Sequence, residues 1–134
     1  MEPIKVKNTQ AKIEVNEACI DGSTFINVML KDCLFNDVMM AGTKIVNANL
    51  SELEIEGAQL GGAYIHNIGM PPEGHPLHDP RAKMRPLKME DCYLVNSVIT
   101  NCDLSGVEIK DCNIRGLTID GVDVSRLLEE HRKK

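Results

Sequence analysis

Hydrophobic residues recur at every fifth position through the first half of the chain. Every fifth residue from Val15 to Ile65 is apolar. With 43% hydrophobic residues overall, a run of this length in one fixed phase arises by chance roughly once in ten thousand. Two positions before each of these central residues lies an uncharged and mostly small residue, from Ile13 to Ala63. Alternate residues of an extended strand share one face, so each unit is strand-like at these two positions.

The same pattern returns later in the chain in a shifted phase. Its central residues are Leu94, Ile99, Leu104, Ile109, Ile114, Ile119 and Val124. Their partners two positions earlier are again uncharged, from Cys92 to Val122. Because the phase slips between the two blocks, a segment must be inserted there.

A period of five fits neither the 3.6-residue period of a helix nor the two-residue period of a strand. Four units would make one square coil of twenty residues, and residues twenty positions apart would then stack. Two columns have this spacing: Gly22, Gly42 and Gly62 in one, and Asn27, Asn47 and Asn67 in the other. Glycine suits a corner with a left-handed backbone. The sequence therefore predicts a repeating all-β coil.

Two units carry a family resemblance. Residues 102–106 (CDLSG) and 48–52 (ANLSE) resemble the A(D/N)LXX consensus of the pentapeptide-repeat family. The resemblance covers about residues 13–70 and 82–124, and it implies a solenoid, a right-handed quadrilateral parallel β-helix. A β-sandwich is the alternative, but its strand spacing would vary from hairpin to hairpin.

The pattern divides the chain into five segments of one domain. They are an N-terminal cap over 1–12, repeats over 13–70, an inserted Pro-rich loop over 71–86, repeats over 87–124, and a C-terminal helix over 125–134. The cap is predicted as a strand from the alternation of Ile4 and Val6 with polar residues. Five of the six prolines lie in the inserted loop, and proline cannot donate to a ladder of strands.

The C-terminal helix is predicted from apolar spacing. Val124, Leu127 and Leu128 follow the i, i+3, i+4 pattern. Either Asp123 or Ser125 would cap its first turn. The helix is expected to cover the last coil as a lid, and a contact between two copies is the alternative.

The repeat also predicts which side chains are interior. Central residues such as Leu50 and Ile109 should point inward. The thiols of Cys33, Cys92, Cys102 and Cys112 lie two positions before central residues and should also be interior, which leaves Cys19 as the exposed thiol. Five cysteines without a CxxC pair favour neither a zinc site nor a redox motif.

Little in the sequence indicates catalysis. His75, His78 and Asp79 lie close together and could bind a metal, but their spacing matches no known metal motif, and a polar surface loop is favoured. No nucleophile, phosphate-binding or metalloprotease motif is present. We therefore expect no enzyme, no cofactor and no metal; known members of the resembled family are mostly non-catalytic.

Charge and composition narrow the classes of possible partner. A net charge of −5 and a pI near 5.3 argue against direct binding to nucleic acid. Nothing approaches a membrane span, and the N-terminus lacks the apolar core of a signal peptide, so the cytoplasm is expected. The chain is expected to be a monomer or an end-to-end homodimer that binds an unknown protein partner.

Two groups of residues are candidates for partner binding. The loop carries a basic group: His75, His78, Arg81, Lys83 and Arg85. The repeats carry an acidic group: Glu14, Glu17, Asp37, Glu54 and Glu56. A rigid protein-binding scaffold is the favoured function. The family resemblance implies the alternative, an acidic DNA mimic that modulates a type II topoisomerase.

Overall fold

The structure is a computed structural model that describes residues 1–133. It forms two units, Met1–Gly61 and a second that begins at Gly62. The regular elements of the described chain all belong to the second unit. They are the strands β1 (Thr118–Ile119) and β2 (Val122–Asp123) and the helix α1 (Val124–Arg132).

β1 and β2 form an antiparallel hairpin, with Thr118 opposite Asp123 and Ile119 opposite Val122. Its two-residue turn is Asp120-Gly121, with φ of 49° and 79°. Positive φ at both positions is what a type I′ turn requires, and Asp-Gly is among its preferred sequences. The repeat pattern treats Ile119 and Val124 as two more central residues, and it therefore does not anticipate this hairpin.

The predicted C-terminal helix is present as α1. Asp123 is its N-cap, because its Oδ1 accepts a hydrogen bond from the Arg126 N–H at 3.2 Å. Such a cap satisfies one of the N–H groups that the first turn leaves without a helical partner. α1 begins one residue before the predicted start. The last predicted helical residue, Lys134, lies outside the described residues.

The five-residue period of the sequence recurs in the backbone. A residue with positive φ lies at every fifth position from Glu17 to Asn67, and again from Asp91 to Gly121. Each one follows a central apolar residue by two positions. Glycine, asparagine and aspartate fill most of these positions because they tolerate the left-handed region best.

Alternate units differ in how they turn. Backbone hydrogen bonds of 3.0 to 3.2 Å close four-residue turns at 20–23, 40–43, 50–53, 94–97, 104–107 and 114–117. Their third residues, such as Gly22 and Gly42, have φ of 77° and 78°, as a type II turn requires. The units between them bend at residues such as Asn27 and Asn47, with φ of 54° and 52°. The conformational repeat is therefore ten residues long.

The predicted right-handed quadrilateral parallel β-helix is wrong. The strands of residues 1–133 are β1 and β2 alone, and they are antiparallel. The described backbone hydrogen bonds outside the helix and hairpin join residues three positions apart, or seven for Val124 and Leu117. Stacked coils would join residues twenty apart. A turn needs only local dihedral angles, whereas stacking must also offset the entropy of closing each twenty-residue coil.

The predicted N-terminal capping strand is also wrong. Within the described chain, residues 1–12 contain no strand, and there is no stacked coil for them to cover. The predicted lid role of α1 assumed a stacked coil, and the described residues contain none.

The predicted interior is also absent. Within residues 1–133 no hydrophobic side chain is buried, and Leu50 and Ile109 are 47% and 60% exposed. The accessible surface is 15175 Å², about twice the roughly 7,000 Å² of a folded monomer of this mass. All five cysteines are exposed, so the expectation of four interior thiols is wrong. Without stacked coils, alternate residues share a face but have nothing to pack against.

Candidate functional site

The inserted loop is a series of three turns. The His75 N–H donates to the Pro72 carbonyl at 3.0 Å, the His78 N–H to the His75 carbonyl at 2.9 Å, and the Ala82 N–H to the Asp79 carbonyl at 3.1 Å. Gly74 has φ of 92°, which a side chain would disfavour. Proline fixes φ at neighbouring positions. The loop therefore has a defined local conformation.

The two loop histidines bind the backbone through their rings. The Leu77 N–H donates to His75 Nδ1 at 3.0 Å, so that nitrogen is unprotonated and the neutral ring carries its proton on Nε2. His78 Nδ1 lies 3.0 Å from the Pro71 carbonyl, which can only accept, so His78 donates from Nδ1. Through these hydrogen bonds the two rings brace successive turns.

His75, His78 and Asp79 do not form a metal site in the structure. Asp79 Oδ1 accepts from the Arg81 N–H at 2.9 Å, and Nδ1 of both histidines is already engaged. In the part of the chain that is described, no group of three or more His, Cys, Asp or Glu side chains could hold a metal ion.

All candidate binding residues are exposed. The basic group, His75, His78, Arg81, Lys83 and Arg85, lies within one short loop. Arg81, Lys83 and Arg85 occupy alternate positions at and after the last turn. Residues 71–86 also contain two acids, Glu73 and Asp79, so the loop has a small net positive charge in a chain whose net charge is −5.

The acidic group, Glu14, Glu17, Asp37, Glu54 and Glu56, is exposed within the first unit. Glu14 pairs with Lys12 at 4.0 Å, an exposed ion pair of small energetic weight. Stacked coils would be needed to bring these five acids together on one face, and the described residues contain no stacked coils. The DNA-mimic alternative therefore rests on the sequence pattern alone.

A polar side chain one position before the central residue supports several turns. Asp103 Oδ1 accepts from the Ser105 N–H at 2.9 Å and from its hydroxyl at 2.6 Å. Asn49 Oδ1 makes the same two contacts with Ser51, at 3.0 and 2.6 Å. Asparagine and aspartate favour such turns because their side chains mimic a backbone carbonyl. This accounts for the D/N position of the five-residue unit.

The Asp103 turn is expected to depend on pH. The Ser105 hydroxyl, and then the Ser105 N–H, hold the pKa of Asp103 below its ordinary value, while slight desolvation opposes them. The stabilisation is present above the ordinary pKa of aspartate and is lost as pH falls through the lowered pKa of Asp103. Ser105→Ala should raise that pKa, as measured by NMR titration of the Asp103 carboxyl carbon.

The Asn49–Ser51 turn is the matched control, because it has the same geometry without an ionisable group. Its Ser51 amide resonance should stay constant over the pH range in which the Ser105 amide moves. Equal movement of both amides, or an unchanged Asp103 pKa in Ser105→Ala, would contradict this account.

Four thiols share one local contact. The thiols of Cys92, Cys102 and Cys112 donate to the carbonyl two residues earlier, at 3.3, 3.2 and 3.2 Å. Cys33 makes the same contact at 3.8 Å. The first three lie ten residues apart, which is the length of the conformational repeat. The five-residue period makes all units equivalent and therefore does not predict this ten-residue series.

One cleft lies beside α1. It is lined by Ile109, Lys110, Asp111, Cys112, Ile114, Leu128 and Arg132. Ile114 is half-buried there, and Leu128 is 36% exposed, against 51% for Leu127. α1 thus covers part of the last repeat units. In contrast, every residue of 13–70 is exposed.

Two further findings bear on classification. Among the described residues no helix is long and apolar enough to cross a membrane, since α1 has nine residues. Compared with known proteins, the chain matches no family model, no curated protein and no solved structure.

Proposed function

We propose that this is a non-catalytic, cytoplasmic protein-binding chain, which offers its exposed repeat turns and its inserted loop to a protein partner. One observation carries the proposal: an apolar residue stands at every fifth position of the repeats, yet no hydrophobic side chain of residues 1–133 is buried. Apolar surface removed from water contributes about 25 cal/mol per Å². A partner that covered part of this surface would gain that free energy.

The turns make such binding less costly. Each unit has its own left-handed residue, and six units also have a closing hydrogen bond. Groups that are locally ordered before binding lose less conformational entropy when they bind. The spacing of the apolar side chains along the chain is therefore set before a partner arrives.

The inserted loop supports the proposal through its charge. Its three turns and two ring–backbone hydrogen bonds hold the segment in a defined conformation. Arg81 and Lys83 are exposed at its end. Loops with fixed local structure often carry recognition, and these charges favour an acidic partner surface.

Replacing residues 71–86 with a short Gly-Ser link is expected to remove partner binding while leaving the turns of both repeat blocks intact. Those turns depend on hydrogen bonds within each unit, so their circular dichroism and amide chemical shifts should not change. Binding is measured by capture from an extract of the source cell, followed by direct titration with the purified partner.

Charge reversal tests the contribution of the basic side chains to binding separately from that of the loop backbone. The double change Arg81→Glu with Lys83→Glu should weaken binding at least tenfold. Lys88→Glu, just beyond the loop, should have little effect, because Lys88 pairs at 3.0 Å with neighbouring Glu90. Full retention of binding in the loop replacement would refute the recognition role of the loop.

A further inference from the structure

The cleft beside α1 joins two parts of the second unit that are distant along the chain. One wall is formed by residues 109–114, and the other by Leu128 and Arg132 of the helix. Leu128 and Arg132 are four positions apart and therefore lie on one face of α1. The cleft has a volume of about 410 Å³, within the range of roughly 300–1,000 Å³ that is usual for ligand-binding clefts. We call it the α1 cleft.

Part of the α1 cleft is apolar. Ile109, Ile114 and Leu128 line it. Ile114 is already half-buried by the cleft itself, whereas Leu128 keeps 36% of its surface exposed. An aliphatic side chain placed between these residues would remove further apolar surface from water, which is favourable in proportion to the area covered.

The charged lining of the α1 cleft has one more cation than anion. Lys110 and Arg132 are cationic, and Asp111 is anionic. Lys110 also pairs with Glu108 at 3.6 Å, whereas no ion pair between described residues involves Arg132. A guanidinium can bind a carboxylate through two parallel hydrogen bonds. A single carboxylate therefore matches the surplus charge, and a polyphosphate or a nucleic acid does not.

We propose that the α1 cleft binds a short segment of the protein partner in which one carboxylate side chain is flanked by aliphatic side chains. This inference rests on the proposed function and names the chemistry that the partner offers at one place. The carboxylate contacts Arg132 and Lys110, and an aliphatic neighbour covers Ile114 and Leu128. The charge of such a segment agrees with the acidic partner surface that the inserted loop favours.

A fatty acid has the same two kinds of group, but the lining favours a peptide. An alkyl chain needs a continuous apolar channel, whereas here the three aliphatic residues share the cleft with three charged ones. Asp111 makes the distinction. Its carboxylate can accept a hydrogen bond from a peptide N–H, but it repels an anion that has no donor to offer.

Titration of the full chain with a short peptide tests the proposal. The probe is acetyl-Leu-Glu-Leu-amide, and binding is measured from the backbone amide resonances of the chain. The amides of Ile114, Leu128 and Arg132 should move in a saturable way, and those of residues 71–86 should not. The uncharged probe acetyl-Leu-Gln-Leu-amide should bind about fivefold more weakly, the upper end of the effect of an exposed ion pair. Octanoate that bound as tightly as the charged peptide would assign the cleft to fatty acids and overturn the proposal.

Variants of the cleft identify the residues that bind the carboxylate. Arg132→Gln and Lys110→Gln should each weaken binding of the charged probe. Because Arg132 lies in the last turn of α1, where a cation stabilises the helix, Lys110→Gln provides the measurement that does not depend on the helix. Arg115→Gln removes the same charge outside the cleft and is the matched control, since it is the Arg115 N–H that bonds to Asn113.

Two results would contradict the α1 cleft as a binding site. One is the absence of saturable shifts at Ile114 and Leu128 with the charged probe. The other is equal weakening by Arg115→Gln and Lys110→Gln, which would indicate general charge attraction. If either were found while the full chain still captured a protein partner, the proposed function would stand without the cleft.

Discussion

Heating the dilute, monomeric chain is expected to produce no cooperative unfolding transition. Cooperativity arises when many side chains lose shared packing together, and no hydrophobic side chain of residues 1–133 is buried. A folded domain of 134 residues would absorb about 90 kcal/mol near 60 °C. Scanning calorimetry should show far less heat, and circular dichroism should change gradually as α1 and the individual turns loosen.

The variant Leu50→Asp tests the same absence of a core at one residue. A charge placed in a packed interior would unfold a domain, but Leu50 is 47% exposed. The variant should therefore keep the circular dichroism spectrum and hydrodynamic radius of the parent chain, as should Ile109→Asp. A sharp thermal transition in the parent, or loss of its spectrum in Leu50→Asp, would show that these side chains are buried.

All five cysteines are expected to react rapidly with a thiol reagent in the native, dilute chain. Reaction requires an accessible thiolate, and every thiol is exposed. Labelling followed by mass spectrometry should give rates within a few-fold of those in denaturant for each cysteine. A single fast thiol, Cys19, is the outcome expected of a packed interior and would contradict the structure.

Only part of the candidate sites could be predicted from the sequence. The residues of the inserted loop could be identified from sequence, because five prolines interrupt the repeat and mark its bounds. The ring–backbone bonds of His75 and His78 could not, since they depend on the turns that bring Pro71 near His78 and Leu77 near His75. The ten-residue repeat of the turns could not be predicted either, because the Gly and Asn columns have a spacing of twenty residues.

The sequence by itself determined the local conformation of this chain. The five-residue phase, the left-handed residues from Glu17 to Gly121, the Asp123 cap and α1 all depend on groups a few residues apart. A residue's tolerance of positive φ and a three-residue hydrogen bond do not require the rest of the molecule.

Only the tertiary structure decided whether the units stack. The period is the same for a closed coil and for a chain of separate turns, so it cannot distinguish a buried Leu50 from an exposed one. The structure leaves Leu50 exposed and pairs Ile119 with Val122 in a hairpin instead of continuing the repeat. Stacking depends on contacts between residues twenty apart, and their free energy must exceed the entropy lost in closing each coil. A local pattern contains no information about that balance.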